Sequence, residues 1–357
     1  MSGDPQPQGN APRQPSKWVT TARSVVGQMR ERLAFTGRRL QANAADRFAW
    51  VGQVKRITWI ALAVVAVLLL AYPVMAWWVH TIDDDPEFSF DQAQLKPGQS
   101  RSVAMMVALI RREVDDNGWV ANNPWFTPTG LLLDNMPNYQ SGIIAAIARF
   151  SFELQDQIGR TRGSSQIDSD LQIAAGKLQT SPSIWYWGEG NVLPQATAET
   201  QYTSAAEALA AYNERLATGQ AVFDRRADNL IAALDRIAQD LGSASAAIEA
   251  HIEDRAGFPW DNKVDDVFYK VKGQLYGYYM ILRELRRDFD EVIMSRDVAK
   301  VWDQMMRSFE EAVRLEPWIV VNGAPDSLVW PCHVGTQGFY LLRARTQLRE
   351  ITNVLQK

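Results

Sequence analysis

The sequence predicts an all-α protein: one amino-terminal transmembrane helix followed by an elongated antiparallel helical bundle with coiled-coil-like seams. Three observations carry that expectation. Residues 57–79, "ITWIALAVVAVLLLAYPVMAWWV", contain no charge. After them, apolar residues recur at steps of three and four over long stretches, the period of one helix face. No run of alternating apolar residues is long enough to build a sheet.

Residues 1–16, "MSGDPQPQGNAPRQPS", are rich in Pro, Gln and Gly and read as a disordered tail. Residues 17–56 form a basic segment in which Trp18, Ala22, Val25, Met29 and Leu33 keep helical spacing while Arg23, Arg30 and Arg38 fall off that stripe. The pattern suits an amphipathic helix lying on anionic headgroups, and equally a helix that packs on a cytosolic partner.

At about 1.5 Å per residue, a helix over 57–79 covers the roughly 30 Å hydrocarbon core of a bilayer. Pro73 falls in its last third, where a kink is tolerated. Trp59 at one end, with Trp77 and Trp78 at the other, occupies the place of an interfacial aromatic belt. Arg38, Arg39, Arg47, Lys55 and Arg56 precede the run, whereas the first basic residue after it is Lys96; the asymmetry places the amino terminus in the cytoplasm. In a bacterium the remainder is then periplasmic, anchored in the inner membrane. A cleaved signal peptide fits less well, because the preceding segment is long, the run exceeds the usual apolar length and no small-residue cleavage site follows. A buried core helix rarely avoids charge for so long.

Charge divides along the same line. Residues 1–56 hold ten Lys/Arg against three Asp/Glu, a net of +7, so the whole-chain net of −4 leaves −11 for the rest. An acidic outer part excludes the basic face that nucleic acid requires. With Cys332 as its one cysteine the chain forms no internal disulfide, and its stability must come from burial.

Residues 80–97 read as an acidic stalk, Asp83, Asp84 and Asp85 lacking the glycine turn and distal Glu of a calcium loop. The helical domain follows over 98–357. Its first helix spans about 102–114, with Val103, Met106, Val107, Ile110 and Val114 on one side and Gly118 as its end; the next runs over 139–158, and a shorter one carries Leu171 and Leu178. Residues 198–217 form an Ala- and Glu-rich helix. Heptad spacing then runs from Phe223 through Leu230, Leu234, Leu241 and Ile248, and again from Val264 through Phe268, Leu275, Leu282 and Val292. Ser295 is the expected cap of a helix through Trp302 and Phe309 that stops before Pro317, and a final helix begins near Thr336. Gly273 and Gly277 leave room for a close neighbour, either a helix of the same chain or a second copy.

Three loops interrupt the helices with Pro, Gly and aromatics: "NGWVANNPWFTPTG", "SPSIWYWGEGN" and "VNGAPDSLVWPCHVG". Trp185, Tyr186, Trp187 and Glu189 form the candidate ligand-binding group, since aromatic faces stack on sugars and a carboxylate beside apolar rings suits acid catalysis. A glycosidase needs a second carboxylate, and Glu153, Asp156, Asp168 and Asp170 are the companions to consider. The competing reading has the aromatics plugging the end of the bundle.

Cys332 and His333 are adjacent and do not make a zinc spacing with His80 and His251; a haem site would need a cysteine where Val329 stands. No phosphate loop, nucleophile elbow or zinc-protease helix occurs in the sequence, so neither a cofactor nor a metal is expected. The expected partners are membrane lipid and envelope proteins, with a second copy of the chain as a further candidate. A non-catalytic cell-envelope scaffold or adaptor follows from these features. The alternative is a peptidoglycan-binding or -cleaving module using the tryptophan loop, and a sensor linking the two sides of the membrane is a third reading.

The stretch "LLLDNMPNYQSGIIAAIARFSFELQDQIGRTRGSSQIDSDLQIAAGKLQ" and the closing "GFYLLRARTQLREITNVL" resemble a family of uncharacterised bacterial inner-membrane proteins, the domain of unknown function family 2333. The resemblance implies a Gram-negative inner-membrane protein and supplies no active-site residues.

Overall fold

The computed structural model describes residues 27, 29–32, 34, 36, 53–71, 74–75, 81–124, 134–160, 167–187, 193–255, 263–323 and 330–357. The chain divides into two units, residues 1–71 and 72–357.

In the first unit the described residues between 27 and 36 are helical and exposed, and Thr36 Oγ1 donates to the Arg32 carbonyl at 2.7 Å. Helix α1, Gln53–Ala71, is long and apolar enough to cross a membrane, and none of it is buried in protein. It begins ahead of the apolar run, so Lys55 and Arg56 lie in its first turn; Trp59 is exposed. Arg38, Arg39, Arg47, Trp77, Trp78 and His80 lie outside the described residues.

The second unit is helical throughout its described residues apart from loops and one isolated bridge, Asn322 with Cys332. Helix α2, Arg101–Arg111, starts at Ser100, whose hydroxyl accepts from Val103 N at 3.2 Å. It runs into a wider turn closed by Asn117 N donating to Arg112 O at 2.8 Å, an i to i+5 bond, and Gly118 at φ +74° ends it. Helix α3, Asn135–Glu153, ends in the same way, with Gly159 N donating to Leu154 O at 2.7 Å. Helix α4, Ser169–Leu178, is capped by Asp168, which accepts from Asp170 N and Leu171 N. Then come α5 (Ala198–Ala217), α6 (Ala227–Arg255), α7 (Val264–Asp288), α8 (Asp290–Ser295), α9 (Ala299–Val313) and α10 (His333–Leu355).

The heptad positions are core: Leu230, Leu234, Leu241 and Ile248 on α6, and Phe268, Leu275, Leu282 and Leu285 on α7, are all buried. Phe223 departs from its expected place. It precedes α6 and reaches the core as a loop residue, its ring 5.9 Å from that of Phe289. The expected seam through Val292 breaks at Phe289, where α7 ends and the short α8 begins. Ser295 does not cap α9. Its hydroxyl donates back to Val292 O at 3.0 Å, Asp297 turns the chain at φ 52°, and buried Val298 stands at the cap position.

Neighbouring helices are mostly antiparallel. Ser100 and Arg101 of the α2 start meet Asp288 while Arg112 meets Tyr276; Arg345 of α10 meets Ala238 of α6 while Gly338 approaches Ile248. The pair α3 and α7 departs from this pattern. Along α3 and α7, Tyr139 lies against Gly273 and Ala146 against Gly277, so the two helices run in the same direction. Their backbones touch: a Cβ on Gly273 would sit 2.0 Å from the Tyr139 carbonyl oxygen, and one on Gly142 would sit 2.2 Å from the Lys270 carbonyl oxygen. The small residues noticed in the sequence therefore accept a helix of the same chain.

Candidate functional site

The described part of the expected acidic stalk, residues 81–97, is hydrogen-bonded to the helical domain. Residues 81–90 lie along α2, α3 and α7 as a strap, held chiefly through backbone carbonyls, and the chain then reaches α5, where Lys96 and Gln99 meet Glu214. Tyr139 Oη donates to Asp83 O at 3.0 Å and Tyr276 Oη to Asp85 O at 2.8 Å. Arg283 donates to Pro86 O at 2.7 Å and to Phe88 O at 2.5 Å. The carboxylates add to this: Asp83 lies 3.6 Å from Arg112, and Asp84 pairs with Lys272, which also donates to Leu315 O at 2.8 Å.

The partners on the helices include buried charges, Arg112 and Lys272, which persist only when paired. Arg112 is 3% exposed and Glu113 fully buried; two guanidinium nitrogens donate to Glu113 Oε1 at 2.9 and 2.7 Å, and a third to Tyr276 Oη at 2.7 Å. The guanidinium also covers the Phe88 ring at 4.5 Å and the Tyr276 ring at 4.9 Å. Burial works against its charge, but Glu113 and the surrounding oxygens outweigh it and hold the Arg112 pKa above the ordinary value. Burial likewise raises the Tyr139 and Tyr276 phenols, keeping both protonated as donors to the strap. At the other end of α2, buried Asp288 accepts from the Ser100 and Ser102 hydroxyls at 2.8 and 2.7 Å. The donors and acceptors of this network are bonded to one another and to the strap, which they clasp against the helices. Sequence reading passed over Arg112, Glu113 and Lys272. The available signal was charge beside core positions: Lys272 next to Val271, and Arg112 and Glu113 two and three places after Ile110.

At the start of α3 and α7, Asp134, Asp265 and Asp266 bring carboxylate oxygens within 4.8 Å of one another. Desolvation, followed by the Asp134 charge, raises Asp266 to about 6. Residues so far apart in sequence gave no spacing from which the cluster could be read.

The tryptophan loop is partly open. The Tyr186 and Trp187 rings are exposed at 53% and 55%, while Trp185 is half-buried with its ring edge-on to Tyr186, centroids 6.1 Å apart. Gln195 Nε2 donates to Trp185 O at 3.0 Å. Glu189 lies outside the described residues. Of the companions considered, Asp168 and Asp170 bind Arg215 at 2.7 and 2.5 Å and Glu153 faces Arg236 at 3.6 Å. A carboxylate not considered, Glu199, comes near through Asn122, whose Nδ2 donates both to it at 2.8 Å and to Ile184 O at 3.0 Å. Trp119 Nε1 donates to Pro182 O at 3.0 Å, so the first two aromatic loops do meet.

A family model described as "Uncharacterized protein conserved in bacteria (DUF2333)" matches residues 52–257 and 249–357. The chain belongs to this family. No curated protein and no solved structure matches it. In this DUF2333 protein the third loop closes on itself: His333 N donates to Val321 O, and Val321 N donates to His333 Nδ1, both at 3.0 Å. Burial lowers the His333 pKa, in keeping with an imidazole nitrogen that accepts. Cys332 is partly buried, with Sγ 3.9 Å from Asn322 Oδ1, and the neighbouring His333 Nδ1 accepts from Val321 N.

Proposed function

We propose that this protein is a single-pass component of the bacterial inner membrane, amino terminus in the cytoplasm, whose periplasmic helical domain serves as a non-catalytic scaffold or adaptor of the cell envelope. The observation that carries the reading is α1: an apolar helix of spanning length with no surface buried in protein needs lipid around it. The excess of Lys and Arg before it sets the orientation. The scaffold role is supported by where the reactive side chains stand. The buried carboxylates and cations of the strap network are paired with one another, an arrangement that fixes a shape.

The basic segment 17–56 is assigned to the anionic inner surface of the membrane. A second reading rests on the exposed Tyr186 and Trp187 rings, which offer a stacking face to cell-wall glycan. Cross-linking in intact membranes, followed by identification of what the helical domain captures, separates the two. A scaffold captures defined envelope proteins, and capture survives Trp187→Ala. Capture of glycan that disappears with Trp187→Ala overturns the scaffold reading.

A further inference from the structure

Trp318 and Ile319 protrude from the second unit. Trp318 is fully exposed and Ile319 is 73% exposed. Such a pair is costly in water, at roughly 25 cal/mol for each Å² of apolar surface left wet. The protrusion is nonetheless anchored. Val320 and Val321 behind it are buried, and the Val321–His333 hydrogen bonds and the Asn322–Cys332 bridge fix its base.

Its position is defined by one ammonium. Lys272 Nζ holds Asp84 of the strap and the Leu315 carbonyl together. Trp318 follows Leu315 by three residues, a reach of at most about 11 Å. Asp84 follows the end of the apolar run, Val79, by five residues, a reach of at most about 18 Å. The exposed pair thus belongs to the end of the helical domain at which the chain arrives from the apolar run. Trp is the residue that favours the headgroup level of a bilayer, with Ile able to enter the acyl boundary beneath it.

We infer that Trp318 and Ile319 insert into the outer leaflet of the membrane, giving the helical domain a second lipid contact besides its anchor. The inference rests on the membrane-anchored reading. Asp134, Asp265 and Asp266 cluster at the start of α7 beside this end of the domain, so the contact is apolar, suited to neutral headgroups such as phosphatidylethanolamine.

The test uses the full chain in phosphatidylethanolamine-rich vesicles, with Cys332→Ala and a single environment-sensitive fluorophore on an introduced cysteine. Nitroxide-bearing lipids report contact and depth. A label at Ile319→Cys is expected to shift to the blue and lose most of its emission to headgroup-level nitroxide, and Trp318→Ser in the same protein restores it. A label at Met294→Cys, exposed on α8 beyond the far end of α7, stays bright. A label at Leu69→Cys in α1 reports the anchor independently. Quenching at 69 without quenching at 319 overturns the inference and leaves the anchor standing. No quenching at 69 overturns both. A blue shift at 319 without quenching identifies a protein contact and overturns the lipid one.

Discussion

The two sides of the helical domain are held together by different means. Where α2 and the strap meet α3 and α7, the contact is built from buried ions and hydrogen bonds around Arg112, Glu113, Lys272 and Asp288, over backbones that touch at Gly142 and Gly273. Where α10 packs on α6 and α9, it is built from apolar side chains such as Leu341, Leu348 and Ile351, with isolated polar contacts such as Ser308 to Gln347 at 2.7 Å. Apolar packing tolerates rearrangement, whereas a buried ion pair has one good geometry. The polar side therefore fixes the segment that follows the apolar run, and the apolar side supplies bulk stability.

Glu113→Ala breaks the polar side most severely. It leaves the Arg112 guanidinium buried beside a cavity and is expected to cost about 4 kcal/mol in equilibrium denaturation. Replacing both partners, Arg112→Met with Glu113→Leu, should recover most of that loss, since a paired ion is little better than well-packed carbon. Leu348→Ala attacks the apolar side, and the cavity it leaves is expected to cost about 3 kcal/mol with the strap still protected from hydrogen exchange. Asp84→Ala leaves Lys272 with the Leu315 carbonyl alone. A loss of about 2 kcal/mol is expected, with exchange rising first in residues 81–90.

The smallest effect depends on pH. Asp266 has a folded pKa raised from 3.8 to about 6, so the folded state binds the extra proton and stability falls as pH rises through that interval. Asp266→Asn should flatten this slope and stabilise the protein at pH 7 by about 1 kcal/mol, a figure reduced because the group is only partly buried. An unchanged slope would assign it to other carboxylates.

The same contrast decides what could be read from the sequence. The apolar side was legible: heptad spacing from Leu230 to Ile248 marks residues that are buried, and α5 has the expected bounds, 198–217. The polar side was not, because its partners lie far apart in the chain. Arg112 meets Tyr276, and Asp84 meets Lys272. Hence three aspartates after an apolar run looked like solvated stalk, whereas Asp83 and Asp85 offer backbone carbonyls and Asp84 its carboxylate to donors on the helices. Helix ends failed for a related reason. At Ser295 a polar cap was expected, yet burial of Val298 set the start of α9. In the tryptophan loop Tyr186 and Trp187 are exposed, and Glu199, whose neighbour Ala198 donates to Ile184 O at 3.0 Å, stands in the sequence only as one acid of an Ala- and Glu-rich helix.

The central claim, an inner-membrane anchor with the helical domain in the periplasm, is tested most directly by adding protease to spheroplasts of cells producing the full chain with a tag before Met1. The account predicts that residues after the anchor are cut from outside while the tag and α1 remain as a protected fragment. A protected helical domain with a cleaved tag, or a chain released with the soluble fraction, would contradict it.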